Sequence, residues 1–156
     1  MKRLHLNLRV KDLEHSIQYY TRLWGHSPSK RRSDYAKWDL HEPAVNFALT
    51  LADEVYPPGV EHLGIEVTEH AELSEAFERA SEAGSLNVEG RVVCCYAESS
   101  KAWTSDPNGV AWELFLTHSD ANAMHGQHAL PLEELVPSAC NRPAPSTPGG
   151  CCSSPA

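Results

Sequence analysis

The sequence predicts an α+β fold of two similar βαβββ modules packed side by side, followed by a flexible C-terminal tail. Three observations carry this. Residues 4–10 (LHLNLRV) and 61–67 (EHLGIEV) both alternate apolar with polar residues at strand period, and each has a histidine near its start. A helical pattern follows each stretch. Residues 44–50 (AVNFALT) also align without gaps on residues 111–117 (AWELFLT), and an internal repeat of this kind marks two packed copies of one unit.

In the first module, Leu13, Ile17, Tyr20 and Trp24 recur at helical spacing, and Gly25 is placed to end the helix. Extended runs are expected at 35–40 and 45–51. In the second module, Leu73, Ala76, Phe77 and Ala80 form the helical stripe, with Gly84 as the stop. Extended runs follow at 91–96, 102–105 and 111–117, and Asp106-Pro107-Asn108-Gly109 is a turn signal between the last two. His5 and His62 stand 57 positions apart and the closing strands 67, so the second module carries about ten extra residues, in the stretch with Cys94 and Cys95. Modules of about 1–55 and 58–118 thus make one domain, 1–118. Residues 119–156 hold six of the 11 prolines and no periodicity, and are expected to be a flexible tail in which 130–136 (LPLEELV) could form a helical turn.

With 41% apolar residues in 156, the chain suits one globular domain. No stretch approaches the roughly 18 apolar residues of a membrane span. Charged residues in MKRLHLNLRV occupy the place of a signal-peptide apolar run, so a cytoplasmic location and no membrane partner are expected. The net charge of −8 argues against a nucleic-acid partner. The five cysteines, Cys94, Cys95, Cys140, Cys151 and Cys152, are odd in number and include two adjacent pairs, which fits free thiols in a reducing compartment.

His5 and His62 occupy equivalent places, and Glu113 lies in the last strand of the second module. Two imidazoles and one carboxylate on a rigid sheet form a metal-binding triad with open positions, a set suited to non-haem Fe(II). Asn46, the sequence counterpart of Glu113, is a neutral and poorer ligand. Each residue also has a plainer reading: a strand histidine packs in a core, and a lone acid faces solvent. A free vicinal pair such as Cys94-Cys95 is a soft chelate for a thiophilic element, provided a loop or bulge brings both sulfurs to one side; otherwise the two simply pack in a strand. Lys101 is near enough in sequence to favour thiolates. Trp24, Trp38, Trp103 and Trp112 suit core or cavity lining. His15, His26, His41, His70, His118, His125 and His128 lie on helices, loops or the tail and receive no role.

These residues resemble a known family. The paired modules are similar to those of the vicinal oxygen chelate superfamily, which includes glyoxalase I, extradiol dioxygenases and bleomycin-resistance proteins. More closely, the chain resembles the ArsI family of organoarsenical carbon–arsenic lyases, which overlaps with CadI-like proteins. The matching stretches are LEHSIQYY at 13–20, DYAK at 34–37, VNFAL at 45–49, LADEV at 51–55 and EHLG at 61–64. The most specific is CCYA at 94–97, continuing through KAWT at 101–104 and DPNG at 106–109 to Trp112-Glu113. The resemblance covers residues 1–118 and implies one metal cavity. It implies cleavage of the carbon–arsenic bond of trivalent organoarsenicals (methylarsenite, reduced aromatic arsenicals) by Fe(II) and dioxygen, O2, with release of arsenite. Carried over residue by residue, it places the metal on His5, His62 and Glu113 and arsenic on Cys94 and Cys95. Tyr35, Tyr96, Lys101 and Trp103 are expected around the substrate. Some relatives carry glutamine at the first metal position, where this chain has histidine. The expected partner is a small molecule, and the chain a monomer or homodimer. Two rival readings remain: a soft-metal scavenger that uses the thiols, and a glyoxalase-like metalloenzyme, which would need a fourth ligand.

Overall fold

The computed structural model describes residues 2–126. Both alternating stretches are strands, β1 (Arg3–Val10) and, in the second module, β5 (Gly59–Val67). β1 leads into helix α1 (Leu13–Trp24), then β2 (Lys30–Arg31), β3 (Tyr35–His41) and β4 (Ala44–Leu51). β5 leads into α2 (His70–Ala83), then β6 (Asn87–Cys94), β7 (Ala97–Ser105) and β8 (Ala111–Asp120). A last short strand, β9 (His125–Gly126), adds to the far edge. The strands form one curled sheet in the order β2-β3-β4-β1-β5-β8-β7-β6-β9. β1 and β5 meet antiparallel at its centre, and each is flanked by a parallel partner, β4 or β8. The halves are therefore related by a pseudo-two-fold axis between β1 and β5, and the expected α+β pair of modules is present.

Helix boundaries follow local chemistry. Asp12 caps α1: its Oδ1 accepts the His15 backbone N–H at 2.9 Å. Gly25 ends α1 with φ 71°, a left-handed conformation that glycine adopts without a Cβ penalty. Gly84 also ends its helix, but on extended backbone, its N–H donating to the Ala80 carbonyl. Asp106 holds the predicted turn, accepting N–H bonds from Asn108 and Val110 at 2.8 Å each.

Two boundaries depart from the sequence expectation. β6 begins before the expected run at 91–96 and stops at Cys94, because residues 95 and 96 form the turn, and β7 is longer than the run at 102–105. Ser99, Ser100 and Lys101 are polar yet buried in β7, which hides the strand alternation. Ordered structure also passes residue 118, because β8 runs to Asp120 and β9 pairs with Val93 and Cys94. His128, the turn at 130–136, Cys140, Cys151 and Cys152 lie outside the described residues.

Each helix packs its apolar stripe on the same side of the sheet. Leu13 and Ile17 of α1 meet Trp38, Phe47 and Leu49, while Leu73 and Phe77 of α2 meet Val67, Leu114 and Leu116. Each large side chain so buried contributes about 1.5–3 kcal/mol. The opposite face of the same strands is also buried, but polar: His5, Asn7, Asn46, His62, Glu66, Ser99, Lys101 and Glu113 lie there. Burying such groups is costly unless they pair or bind something, so this inner face is where chemistry is to be sought. Among the described residues no helix is long and apolar enough to cross a membrane.

One glycine keeps the two central strands of the second module in place. A Cβ on Gly64 would lie 2.6 Å from the Glu113 carbonyl oxygen, a contact that only a backbone shift relieves. Gly64→Ala is therefore expected to cost about 1–3 kcal/mol. Chemical denaturation measures it, and a wild-type midpoint would contradict the close approach.

Candidate metal and thiol site

The central antiparallel pairing sets His5 opposite Gly64 and Asn7 opposite His62, so the two imidazoles are diagonal neighbours on the inner face. Their Nε2 atoms lie 3.1 Å apart. β8 runs beside β5 and brings Glu113 opposite Gly64, with Oε2 3.7 Å from His5 Nε2 and 3.4 Å from His62 Nε2. All three side chains are buried, and their donor atoms lie within 4.8 Å of one another.

His5 Nδ1 lies 3.0 Å from the Asn46 carbonyl oxygen. A carbonyl only accepts, so Nδ1 carries the hydrogen and Nε2 presents its lone pair inward. Burial lowers the His5 pKa against the opposing pull of Glu113, which keeps the ring neutral. For Glu113, burial opposes ionisation, but the His62 hydrogen bond, the Lys101 charge and the two histidines outweigh it and hold the carboxyl at about 2. Lys101 Nζ donates to Glu113 Oε1 at 2.6 Å, leaving Oε2 toward the histidines. Burial works against the Lys101 charge too, yet Glu113 and the nearby thiols raise its pKa. Two imidazole nitrogens and one carboxylate oxygen, with the other oxygen already engaged, fit a divalent ion that accepts nitrogen and oxygen ligands. Phe115 stands edge-on to His5 and Trp103 edge-on to His62, which fixes both rings and keeps bulk water from their flanks.

The alignment of Asn46 with Glu113 is not kept by the sheet. Asn7 pairs with Ala48, and its equivalent Gly64 pairs with Glu113, so Ala48 is the register counterpart of the acid. The slip is two residues, which preserves the face. Asn46 therefore still lines the cavity, and its buried Oδ1 has no hydrogen-bond partner among the described residues. Neither position supplies a carboxylate as a fourth ligand.

Cys94 ends β6 and Cys95 begins the two-residue turn to β7. Cys95 and Tyr96 have φ 56° and 59°, a left-handed pair that a two-residue hairpin demands and that glycine or asparagine usually fills. Non-glycine residues there cost of order 1–3 kcal/mol each. The surroundings hold the turn from several sides. The Cys95 N–H donates to the Met124 carbonyl at 2.7 Å, Lys30 Nζ and the Ala121 N–H both donate to the Tyr96 carbonyl, and the Tyr96 hydroxyl donates to Asp34 Oδ1 at 2.7 Å. The turn removes the opposed pointing of neighbouring strand residues and brings the two sulfurs within 3.3 Å. The hydrogen bond between the sulfurs, with Lys101 and against the opposition of burial, lowers the Cys94 pKa to about 6, and the same bond raises that of Cys95.

Thiols and triad line one cavity of about 40 Å³, together with Tyr35, Lys101 and Phe115. At roughly 10–15 Å³ per water, that holds a small group only. Of the residues expected from sequence, His5, His62, Glu113, Cys94, Cys95, Lys101 and Tyr35 are brought together. Tyr96 and Trp103 are not among the lining residues: Tyr96 braces the turn against Tyr35 and Asp34, and Trp103 packs on His62. Asn7 and His125 were missed. Asn7 was legible as the same-face neighbour of His5, two residues on. His125, which touches Cys94, carried no local signal because it follows a stretch without periodicity.

Comparison with known proteins shows the family and the fold. The sequence pattern of the Glyoxalase/Bleomycin resistance protein/Dioxygenase superfamily matches residues 2–114. A trivalent organoarsenical cleaving enzyme of Bacillus sp. strain MD1 is 41% identical over 129 residues, covering 80% of either chain. One of the same description from Thermomonospora curvata is 37% identical over 125 residues, covering 80% of this chain and 83% of that one. The cadmium-induced protein CadI of Mycobacterium bovis is 35% identical over 126 residues, covering 78% of this chain and 80% of CadI. The 2,3-dioxygenase LapB from Pseudomonas sp. KL28 shares the fold, with a TM-score of 0.54 at 21% identity over 78% of this chain and 43% of its own.

The lowered Cys94 pKa has a measurable sign. A depressed acid stays ionised below its ordinary range, so Cys94 is a thiolate from high pH down to its folded value. Its alkylation by iodoacetamide is expected to hold its rate from pH 9 to about 7 and to fall only toward pH 6. In the unfolded chain the fall is expected near 8.5. A folded-state rate that drops through pH 8–9 would contradict the thiolate.

Proposed function

Because the chain belongs to the glyoxalase/bleomycin resistance protein/dioxygenase superfamily, we propose that it is an enzyme that cleaves the carbon–arsenic bond of trivalent organoarsenicals, methylarsenite and reduced aromatic arsenicals among them, and releases arsenite. The observation that carries this is the shared cavity: two thiols 3.3 Å apart open onto the same small space as two histidines and a carboxylate. The relatives described as organoarsenical cleaving enzymes support the choice of substrate.

In this reading Cys94 and Cys95 hold arsenic through two sulfur bonds. That fixes the arsenic-bound carbon beside the triad and turns an encounter into an oriented reaction. His5, His62 and Glu113 hold a divalent ion. Bound Fe(II) supplies the one-electron chemistry that lets dioxygen react, which no side chain here can supply. Asn46 fixes the His5 tautomer, and Lys101 keeps Glu113 ionised while favouring the Cys94 thiolate. Tyr35, buried and with its pKa raised by burial and the nearby thiols, remains a neutral wall of the cavity.

The enzyme reconstituted with Fe(II) under nitrogen, given methylarsenite and then air, is expected to release arsenite only after air enters, as read by chromatography of arsenic species. Methylarsenite that stays bound and unchanged would favour the soft-metal scavenger. His62→Ala or Glu113→Ala is expected to lower turnover by more than about 100-fold with arsenical binding intact. Cys94→Ser or Cys95→Ser is expected to weaken arsenical binding with metal binding intact. A double serine variant with normal turnover would refute the thiol role.

A further inference from the structure

Cys94 touches one more titratable group. His125 of β9 places its Nδ1 3.8 Å from Cys94 Sγ. Backbone pairing builds this contact: β9 sets His125 opposite Cys94 and Gly126 opposite Val93. The chain between β8 and β9 is tied to the hairpin turn at two further points, Cys95 N–H to the Met124 carbonyl and Ala121 N–H to the Tyr96 carbonyl. The strap lies close, since a Cβ on Gly126 would stand 3.3 Å from Val93 Cβ. His125 is exposed, whereas Lys101 is buried, so the thiol pair has a wet side and a dry side.

We propose that His125 carries the proton of arsenical capture, acting beside Cys94 from the solvent side before any carbon–arsenic chemistry begins. The proposal rests on the reading that the thiol pair binds trivalent arsenic. Such a substrate in water bears one carbon and two hydroxyl groups on arsenic. Holding it by the two sulfurs breaks two As–O bonds, forms two As–S bonds and releases two waters. Cys94 attacks arsenic as the thiolate it already is, while His125, on the solvent side, takes up a proton from water. One As–O bond breaks with its electron pair on oxygen. His125 hands the proton to that hydroxide, which leaves as water. Cys95 then displaces the second hydroxyl, and its own proton leaves with that hydroxide as the second water. Arsenic stays trivalent, and nothing is oxidised or reduced. Imidazole is the side chain suited to accept and return a proton near neutral pH. Lys101 cannot serve, because it is buried and bonded to Glu113.

The test is rapid mixing of the full chain with phenylarsine oxide, followed by the ultraviolet absorbance of arsenic–thiolate bonds. His125→Gln is expected to capture at least about tenfold more slowly than wild type, with the same amount bound at equilibrium. His125→Ala is expected to slow likewise and to regain rate when free imidazole is added, which a merely structural role would not allow. Equal rates in wild type and His125→Gln would overturn the proposal, as would a loss in His125→Ala that imidazole leaves unchanged. Failure of the thiol-binding reading is told apart from these, because then wild type itself takes up no phenylarsine oxide.

Discussion

Everything in the site hangs on the antiparallel ladder between β1 and β5. Among the described residues it is the only strand pairing that joins the two modules, and its register decides which side chains meet. With His5 opposite Gly64 and Asn7 opposite His62, the two imidazoles share the inner face and their Nε2 atoms converge. A slip of β1 by one residue would send His5 to the helix side, away from His62, and bring Leu4 and Leu6 inward. The apolar clusters under α1 and α2 pin that register, because Leu6, Leu8 and Val10 of β1 feed one and Ile65 and Val67 of β5 the other. Packing on one face of the sheet thereby fixes chemistry on the other.

A second constraint is electrostatic. Lys101 and Glu113 form an ion pair sealed from solvent, their side chains only 5% and 7% exposed. Breaking such a pair by removing one partner typically costs about 3–5 kcal/mol, since the remaining charge is left buried. Lys101 sits between the carboxylate and the thiols, so one cation holds a metal ligand charged and favours a thiolate nearby. The two halves of the site are thus coupled through a residue that belongs wholly to neither.

The thiol pair shows why backbone strain can be useful. Adjacent residues of a strand point to opposite faces and cannot chelate together. The left-handed turn at Cys95 and Tyr96 solves this at a conformational cost, offset by ties to Lys30, Asp34, Ala121 and Met124. Those ties come from two distant segments of the chain, 30–34 and 121–124, which hold the turn from both sides, and the second leads on to His125 at the outer sulfur.

The two modules, both helices, the pair of histidines and Glu113 were legible in the sequence, because strand and helix periodicity and internal repetition are local properties. The need for a bend at Cys94-Cys95 was legible too, since two neighbouring side chains in a strand cannot face one way. The register of β4 against β1 was not: aligning similar residues matched Asn46 to Glu113, whereas the ladders match Ala48 to it, and only hydrogen bonding between strands sets that two-residue difference. Burial of Ser99 and Lys101 was equally hidden, because a polar residue reads as exposed until a polar inner face exists to receive it. The approach of His125 to Cys94 spans 31 positions. It depends on β9 finding the edge of β6, a long-range pairing that no local pattern encodes. The sequence by itself determined which groups the fold would carry, and the tertiary structure decided which of them meet, because donor distances are set by strand register rather than by residue type.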